Sequence, residues 1–153
     1  MNRLHPRVQV VWAGKATVAA AALAAGVGIV GRIVLGLPVA VPVGVFVALL
    51  AVGVALAVAR HRLWRYEVRD DAIYLERGVF TRVRTVVPFV RIQHVDSSRG
   101  PVERAVGLAS TVVYTAGSRG ADVTIPGLTP AGADDLRERL KRLAIRAEGE
   151  DAV

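Results

Sequence analysis

Residues 16–59 read ATVAAAALAAGVGIVGRIVLGLPVAVPVGVFVALLAVGVALAVA, and Arg32 is the only charged side chain in the run. A stretch of that length without further charge does not fit the core of a small soluble domain, so the chain is expected to enter a membrane near its N-terminus. The run divides in two. Ala16 to Gly31 has 16 residues, about 24 Å as a helix against a hydrocarbon core of roughly 30 Å. It crosses only if Lys15 and Arg32 extend their stems to the interface, where Trp12 would also sit. Val39 to Ala59 has 21 residues and is long enough alone. Gly36, Pro38 and Pro42 mark the turn between them. The expectation is a transmembrane helical hairpin with spans at about 13–34 and 39–60. A cleaved signal peptide is the competing reading of the first span. Against it, no polar region with a small-residue cleavage site follows, and a second apolar run comes directly after Arg32.

Charge divides the chain at the same place. From Arg60 onward lie all thirteen acidic residues and sixteen of the twenty Lys and Arg, so residues 60–153 carry only +3 of the formal +7. The remaining cations, Arg3, Arg7, Lys15 and Arg32, have no acidic neighbours. The high basicity is therefore largely the positive flank of an anchor. Arg3, Arg7 and Lys15 precede the hairpin and Arg60, Arg62 and Arg65 follow it, so both termini are expected on the cytoplasmic face of the cell membrane. The absence of cysteine excludes disulfides, thiolate metal sites and a cysteine nucleophile. Small residues recur at helical spacing, Ala20, Ala24 and Gly28 in the first span and Ala51, Ala55 and Ala59 in the second. Such faces suit close helix approach in lipid, and also arise by chance in an alanine-rich chain.

Beyond the anchor the pattern changes to period two. In Leu63–Arg69, Trp64, Tyr66 and Val68 point one way and Arg65, Glu67 and Arg69 the other, a strand signature. Asp70-Asp71 turns the chain into Ala72–Arg77, which Gly78 ends; Thr81–Val87 stops at Pro88, and Val90–Asp96 follows. Four strands joined by tight turns predict an antiparallel meander. Pro101 to Gly107 forms a short helical turn. Strands resume at Leu108–Ala116 and, after a Gly117–Gly120 turn, at Ala121–Pro126. Thr129 caps a final helix with Pro130 at its first position; Leu136, Leu140 and Leu143 form its apolar stripe, and a disordered tail is expected over 148–153. These parts make an α+β unit with one core, a curved sheet or partly open barrel capped by a helix.

At this point the chain resembles the bacterial pleckstrin-homology (PH)-like domains, in the short form with a two-helix membrane anchor. The resemblance rests on Leu4-His5-Pro6, on Trp64-Arg65-Tyr66-Glu67-Val68 followed by Asp71, Ile73 and Gly78, and on Val87-Pro88 with Ile92-Gln93-His94-Val95. Glu103-Arg104, Gly107-Leu108, Thr115-Ala116-Gly117 and Ile125-Pro126-Gly127 continue it over nearly the whole chain. It implies a PH-like split β-barrel capped by a C-terminal α-helix, with 1–62 as N-terminal segment and hairpin and 63–147 as the PH-like domain. It also implies a membrane-associated accessory or assembly factor with related partners, and supplies no catalytic residues and no general ligand.

No catalytic constellation is visible. His5, His61 and His94 have no metal-ligand spacing, and no phosphate loop or nucleophile elbow occurs, so no catalytic residue, metal or cofactor is expected. His94 shares a strand face with Val90 and Ile92 and reads as a partly buried side chain. Arg60, Arg62 and Arg65 are candidates for contact with lipid headgroups. Arg82, Arg84 and Arg91, with Arg99 and Arg104 nearby in sequence, are candidates for an anion or partner surface, although a solvated sheet face balanced by Glu67, Glu76 and Asp96 explains them as well. Nucleic acid is not an expected partner, because the domain is nearly charge-balanced and no aromatics interleave with its basic residues. The function expected is a non-enzymatic module that recruits or assembles a protein partner, another membrane or PH-like protein or a second copy in a homo-oligomer, and touches membrane lipids. The alternative is an oligomeric transport or pore-forming component, for which the spans offer only Arg32.

Overall fold

The structure, a computed structural model, describes residues 2–117 and 122–151. The chain forms two units, one from Gln9–Ala59 and one that joins Met1–Val8 to Arg60–Val153.

In the first unit the sequence is apolar on every face, and the helices follow. Helix α1 spans Val8–Leu35 and α2 spans Ala40–Leu63, and both are long and apolar enough to cross a membrane. Helix α1 is longer than the 16-residue apolar run: Trp12 and Lys15 lie within its first turns and Arg32 in its last. At about 1.5 Å per residue the whole helix exceeds a bilayer core, but Lys15 and Arg32 stand only about 25 Å apart along it, so at least one of them must still extend its stem to the interface. The turn is made by Gly36, at φ 61°, and Pro38, with the Leu37 amide donating to the Gly31 carbonyl at 3.0 Å. Pro42 is not part of the turn; it occupies the first turn of α2, where its missing N–H leaves no bond unmade. The α1 stripe is buried at Ala20 and Ala24, and a Cβ on Gly28 would stand 3.2 Å from Pro42. The expected α2 stripe is not used as a unit, since Ala51 and Ala55 are exposed. Gly53 takes that place, with the space for its absent Cβ only 2.6 Å from the Ala16 methyl.

In the second unit two antiparallel sheets share a core with a helix. Strands β1 (Asn2–Arg3), β2 (Arg65–Val68), β3 (Ala72–Arg77) and β4 (Val83–Pro88) pair in that order. Strands β5 (Ile92–Ser98), β6 (Ala109–Thr115) and β7 (Val123–Leu128) form the other sheet, with helix α3 (Pro101–Val106) between β5 and β6 and helix α4 (Pro130–Asp151) closing the chain. The expected four-strand meander is therefore corrected. The strand after Pro88 leaves the first sheet through a 3₁₀ turn, Phe89–Arg91. Phe89 is buried there and its amide donates to the Asp71 carbonyl, which ties down the corner. The fourth strand of the first sheet is instead β1, from the far side of the hairpin.

Alternation predicts the core faces well. Trp64, Tyr66, Ile73, Leu75 and Val87 are buried from the first sheet, and Ile92, Ala109, Thr111, Val113 and Ile125 from the second. Helix α4 covers them with Ala133, Leu136, Leu140 and Ala144, while Leu143 is only half-buried. The helix runs on through 148–151, where the sequence pattern suggested a disordered tail. Of the expected turn and strand around 117–126, residues 118–121 lie outside the described residues.

The N-terminal segment is built into this unit. Leu4 and Val8 are buried, the His5 amide donates to the Gly127 carbonyl at 2.7 Å, and His61 Nε2 lies 3.1 Å from the Leu4 carbonyl. Gly127 has φ +65°, and a Cβ there would fall 2.8 Å from Val8 Cβ. Residues 2–8 thus belong with the domain rather than with the hairpin to which the sequence reading attached them.

Candidate functional site

Strand register decides which arginines share a surface. Directly opposed residues in an antiparallel sheet lie on one face, and the pairs Arg3 with Arg65, Arg65 with Glu76, and Glu76 with Arg84 make one row across four strands. Arg84 Nε donates to Glu76 Oε1 at 2.6 Å, so one charge of the row is matched. Further along the same face Arg69 pairs with Glu67 at 3.1 Å and its guanidinium lies 4.4 Å from the Tyr74 ring centroid. Glu67 holds Arg69 above its already high ordinary value.

This row sits at one end of the sheet. There β1 finishes at Arg3, β2 starts at Arg65, and the β3–β4 loop, residues 78–82, joins Arg77 to Val83. Arg60 and Arg62 lie in the last turn of α2, where cations suit the helix C-terminus, and Arg65 opens β2. Arg82 stands in the loop at the same end and Arg84 two residues into β4. Arg91 is separated from them by the length of β4, because it closes the 3₁₀ corner at the opposite end. The expected trio of Arg82, Arg84 and Arg91 is therefore not one cluster. Arg3 and Arg77 join the basic end instead, and pattern reading missed both. A two-residue strand has no periodicity to find, and Arg77 is marked only by its place beside Gly78.

The opposite end carries Asp70 and Asp71 in the β2–β3 turn. Tyr66, inside the sheet, has its phenol pushed up from the ordinary 10.0, because burial outweighs the opposing effects of its Asn2 hydrogen bond and the Arg139 charge.

A second surface is a groove of about 440 Å³ between the free edge of β5 and α4, lined by Gln93, His94, Asp96, Arg137, Lys141 and Ile145 among others. The expectation that His94 sides with Ile92 is corrected here. The register slips between Ile92 and His94, so the bulge turns the imidazole outward. It is two-thirds exposed and lies 2.7 Å from Asp96. His5 accepts the Arg7 amide on Nδ1 and His61 meets the Leu4 carbonyl, so each histidine is tied to local structure. Among the described residues no group of three or more His, Cys, Asp or Glu side chains is placed to hold a metal ion.

The two sheets, the closing helix and the apolar hairpin have a counterpart in known proteins: the family described as Bacterial PH domain matches residues 11–144. The chain belongs to the bacterial PH-domain family. The match takes in most of both apolar helices and every strand but β1. Among curated proteins, UPF0699 transmembrane protein YdbS of Bacillus subtilis is 42% identical over 85 residues, which is 56% of this chain and 52% of that protein. UPF0699 transmembrane protein YdbT of the same organism is 27% identical over 99 residues, 63% of this chain and 20% of that protein. The chain thus spans about half the length of one relative and a fifth of the other. No solved structure matches. Bacterial PH domains in transmembrane proteins are thus the setting in which the basic end has to be understood, and no catalytic family is indicated.

Proposed function

We propose that this chain is a non-enzymatic, membrane-anchored module, in which α1 and α2 cross the cell membrane as a hairpin and the PH-like unit stands at the cytoplasmic face to recruit or assemble a protein partner. The observation that carries the reading is the joining of residues 2–8 to the unit that starts at Arg60. Because β1 pairs with β2, both ends of the hairpin emerge on one side, and the Lys and Arg excess flanking them favours the cytoplasm. Arg60, Arg62 and Arg65 follow the second helix, where each headgroup contact contributes about 1 kcal/mol. The partner favoured is a related membrane protein or a second copy. Tethering to one surface raises the effective concentration of both, so a weak contact suffices. The free edge of β5 beside α4 is the natural place for such a partner to add a strand. A pore draws no support from the helices, since neither carries an ionisable side chain along its middle.

Crosslinking in intact cells from a photoreactive residue at Gln93, followed by mass spectrometry, tests the partner. One recurrent protein supports the recruiting role; lipid alone moves the role to the bilayer surface. Labelling of Asp70→Cys by a membrane-impermeant reagent, with cells unbroken, would overturn the cytoplasmic placement.

A further inference from the structure

The most exposed large apolar side chain among the described residues is not on a helix. It is Phe80, 88% exposed, at the tip of the β3–β4 loop. Elsewhere in its unit the next is Ile145 at 59%. Singly exposed apolar side chains are common on protein surfaces; what sets Phe80 apart is the tight turn and the flanking cations that hold it at the tip.

The loop is built to hold it there. Arg77 and Val83 form the last cross-strand pair, and Gly78 makes the turn at φ +109° with the Thr81 carbonyl oxygen 1.9 Å from where a Cβ would sit. Only glycine closes the chain so tightly. The flanks are chemically uniform: residues 77–84 read RGVFTRVR, with no acidic residue. Glu76 is engaged by Arg84, so Arg77 and Arg82 are the cations on either side of the aromatic tip. The sheet register adds direction. This loop lies at the sheet end where β1 stops before the chain enters α1 and where β2 starts after the chain leaves α2. The other end of the sheet carries Asp70 and Asp71. There Arg69 and Arg91 offset the two carboxylates, so an excess of positive charge beside an aromatic tip is confined to the loop end.

We infer that the β3–β4 loop is a membrane-insertion tip, with Phe80 entering the interfacial zone of a bilayer while Arg77 and Arg82 lie against anionic headgroups. An aromatic ring with cations beside it fits that zone, which accepts an apolar body and a charged rim together. Lipid suits the tip better than a protein pocket, since the feature is a single protruding ring rather than a contiguous apolar patch. This inference rests on the reading of α1 and α2 as membrane-spanning and adds a second point of attachment, which would fix the tilt of the domain.

The chain has no cysteine, so single labels are unambiguous. Full-length protein carrying an environment-sensitive fluorophore at Thr81→Cys, Asp70→Cys or Val52→Cys is reconstituted in bilayers containing quencher-bearing lipid, with or without phosphatidylglycerol. The Val52 label should be quenched in both bilayers and the Asp70 label in neither. The Thr81 label should shift to the blue and lose intensity with anionic lipid, less so in zwitterionic lipid or high salt. Adding Phe80→Ser should return it to water, and Arg77→Gln with Arg82→Gln should abolish the preference for anionic lipid. A Thr81 label as aqueous as that at Asp70, beside a quenched Val52 label, overturns the tip and leaves the anchor standing. A blue shift without lipid quenching overturns it in favour of a protein cover. An unquenched Val52 label removes the anchor and the tip together.

Discussion

The two units solve the packing problem with opposite kinds of side chain. In the domain the large buried side chains include Trp64, Phe89, Ile73, Leu75, Leu108 and Leu140, and most of its charged side chains are exposed. In the hairpin the buried residues are mostly small, Ala20, Ala24, Gly31 and Ala57 beside Val11, with Gly28 and Gly53 at close approaches, while Val18, Leu23, Ile29 and Ile33 face outward. Water drives the first arrangement, because every large apolar side chain taken inside removes area from solvent. Lipid supplies no such drive, so the helices use their small residues to bring backbones together and leave the large ones among the acyl chains. A given substitution therefore carries a different cost in each unit.

The comparison breaks most visibly at large side chains. Phe89→Ala in the domain is expected to cost about 3–5 kcal/mol, whereas Leu23→Ala, at an outward position 60% exposed in the hairpin, should change stability by less than about 0.5 kcal/mol. Denaturant unfolding in detergent or nanodiscs checks both, and equal costs would mean that the outer face of α1 is packed against something other than lipid. Next come the glycines. Gly127→Ala meets both a left-handed backbone and the Val8 side chain, so a loss of about 1–3 kcal/mol is expected, and Val8→Ala should restore only part of it. Gly53→Ala meets only the Ala16 methyl, and Ala16→Gly in the same chain should restore it nearly in full.

Smaller effects sharpen the picture of the domain surface. Arg84→Gln removes a 2.6 Å pair whose arginine is 72% exposed, and solvent screening should hold the loss below about 1 kcal/mol, shrinking further with salt. The smallest effect is a pH dependence. Burial raises the Tyr66 phenol above 10.0, so the folded state favours the neutral form. That contribution is complete below pH 10 and is lost as the pH rises through the raised value. In an ultraviolet titration one of the three tyrosines should ionise late, and Tyr66→Phe should remove that step.

Much of this architecture was legible from periodicity. The two apolar runs announced α1 and α2, and the alternation of Trp64 and Tyr66 with Arg65 and Glu67 announced β2 and its buried face. The closing helix followed from Thr129, Pro130 and the leucines. What stayed hidden has a common cause: each miss depends on partners distant in sequence or on a local break in period. Strand β1 is two residues long and gains its identity only by lying beside β2. The bulge after Ile92 reverses the side on which His94 emerges. The separation of Arg91 from Arg82 and Arg84 follows from the corner at Pro88 and Phe89, which a linear reading runs straight through. The basic end of the sheet was half visible, through Arg60, Arg62 and Arg65, and was completed by register.

The pairing of β1 with β2 also has a meaning for how the chain is made. Residues 2 and 3 are synthesised before both apolar helices, and their partners, Tyr66 and Arg65, only after them. If one helix alone crossed the bilayer, the two strands would lie in different compartments, Leu4 and Val8 would find no core to enter, and Gly127 would face an empty slot. On the proposed membrane-spanning reading, the first strand would complete the domain only in chains whose two helices both cross.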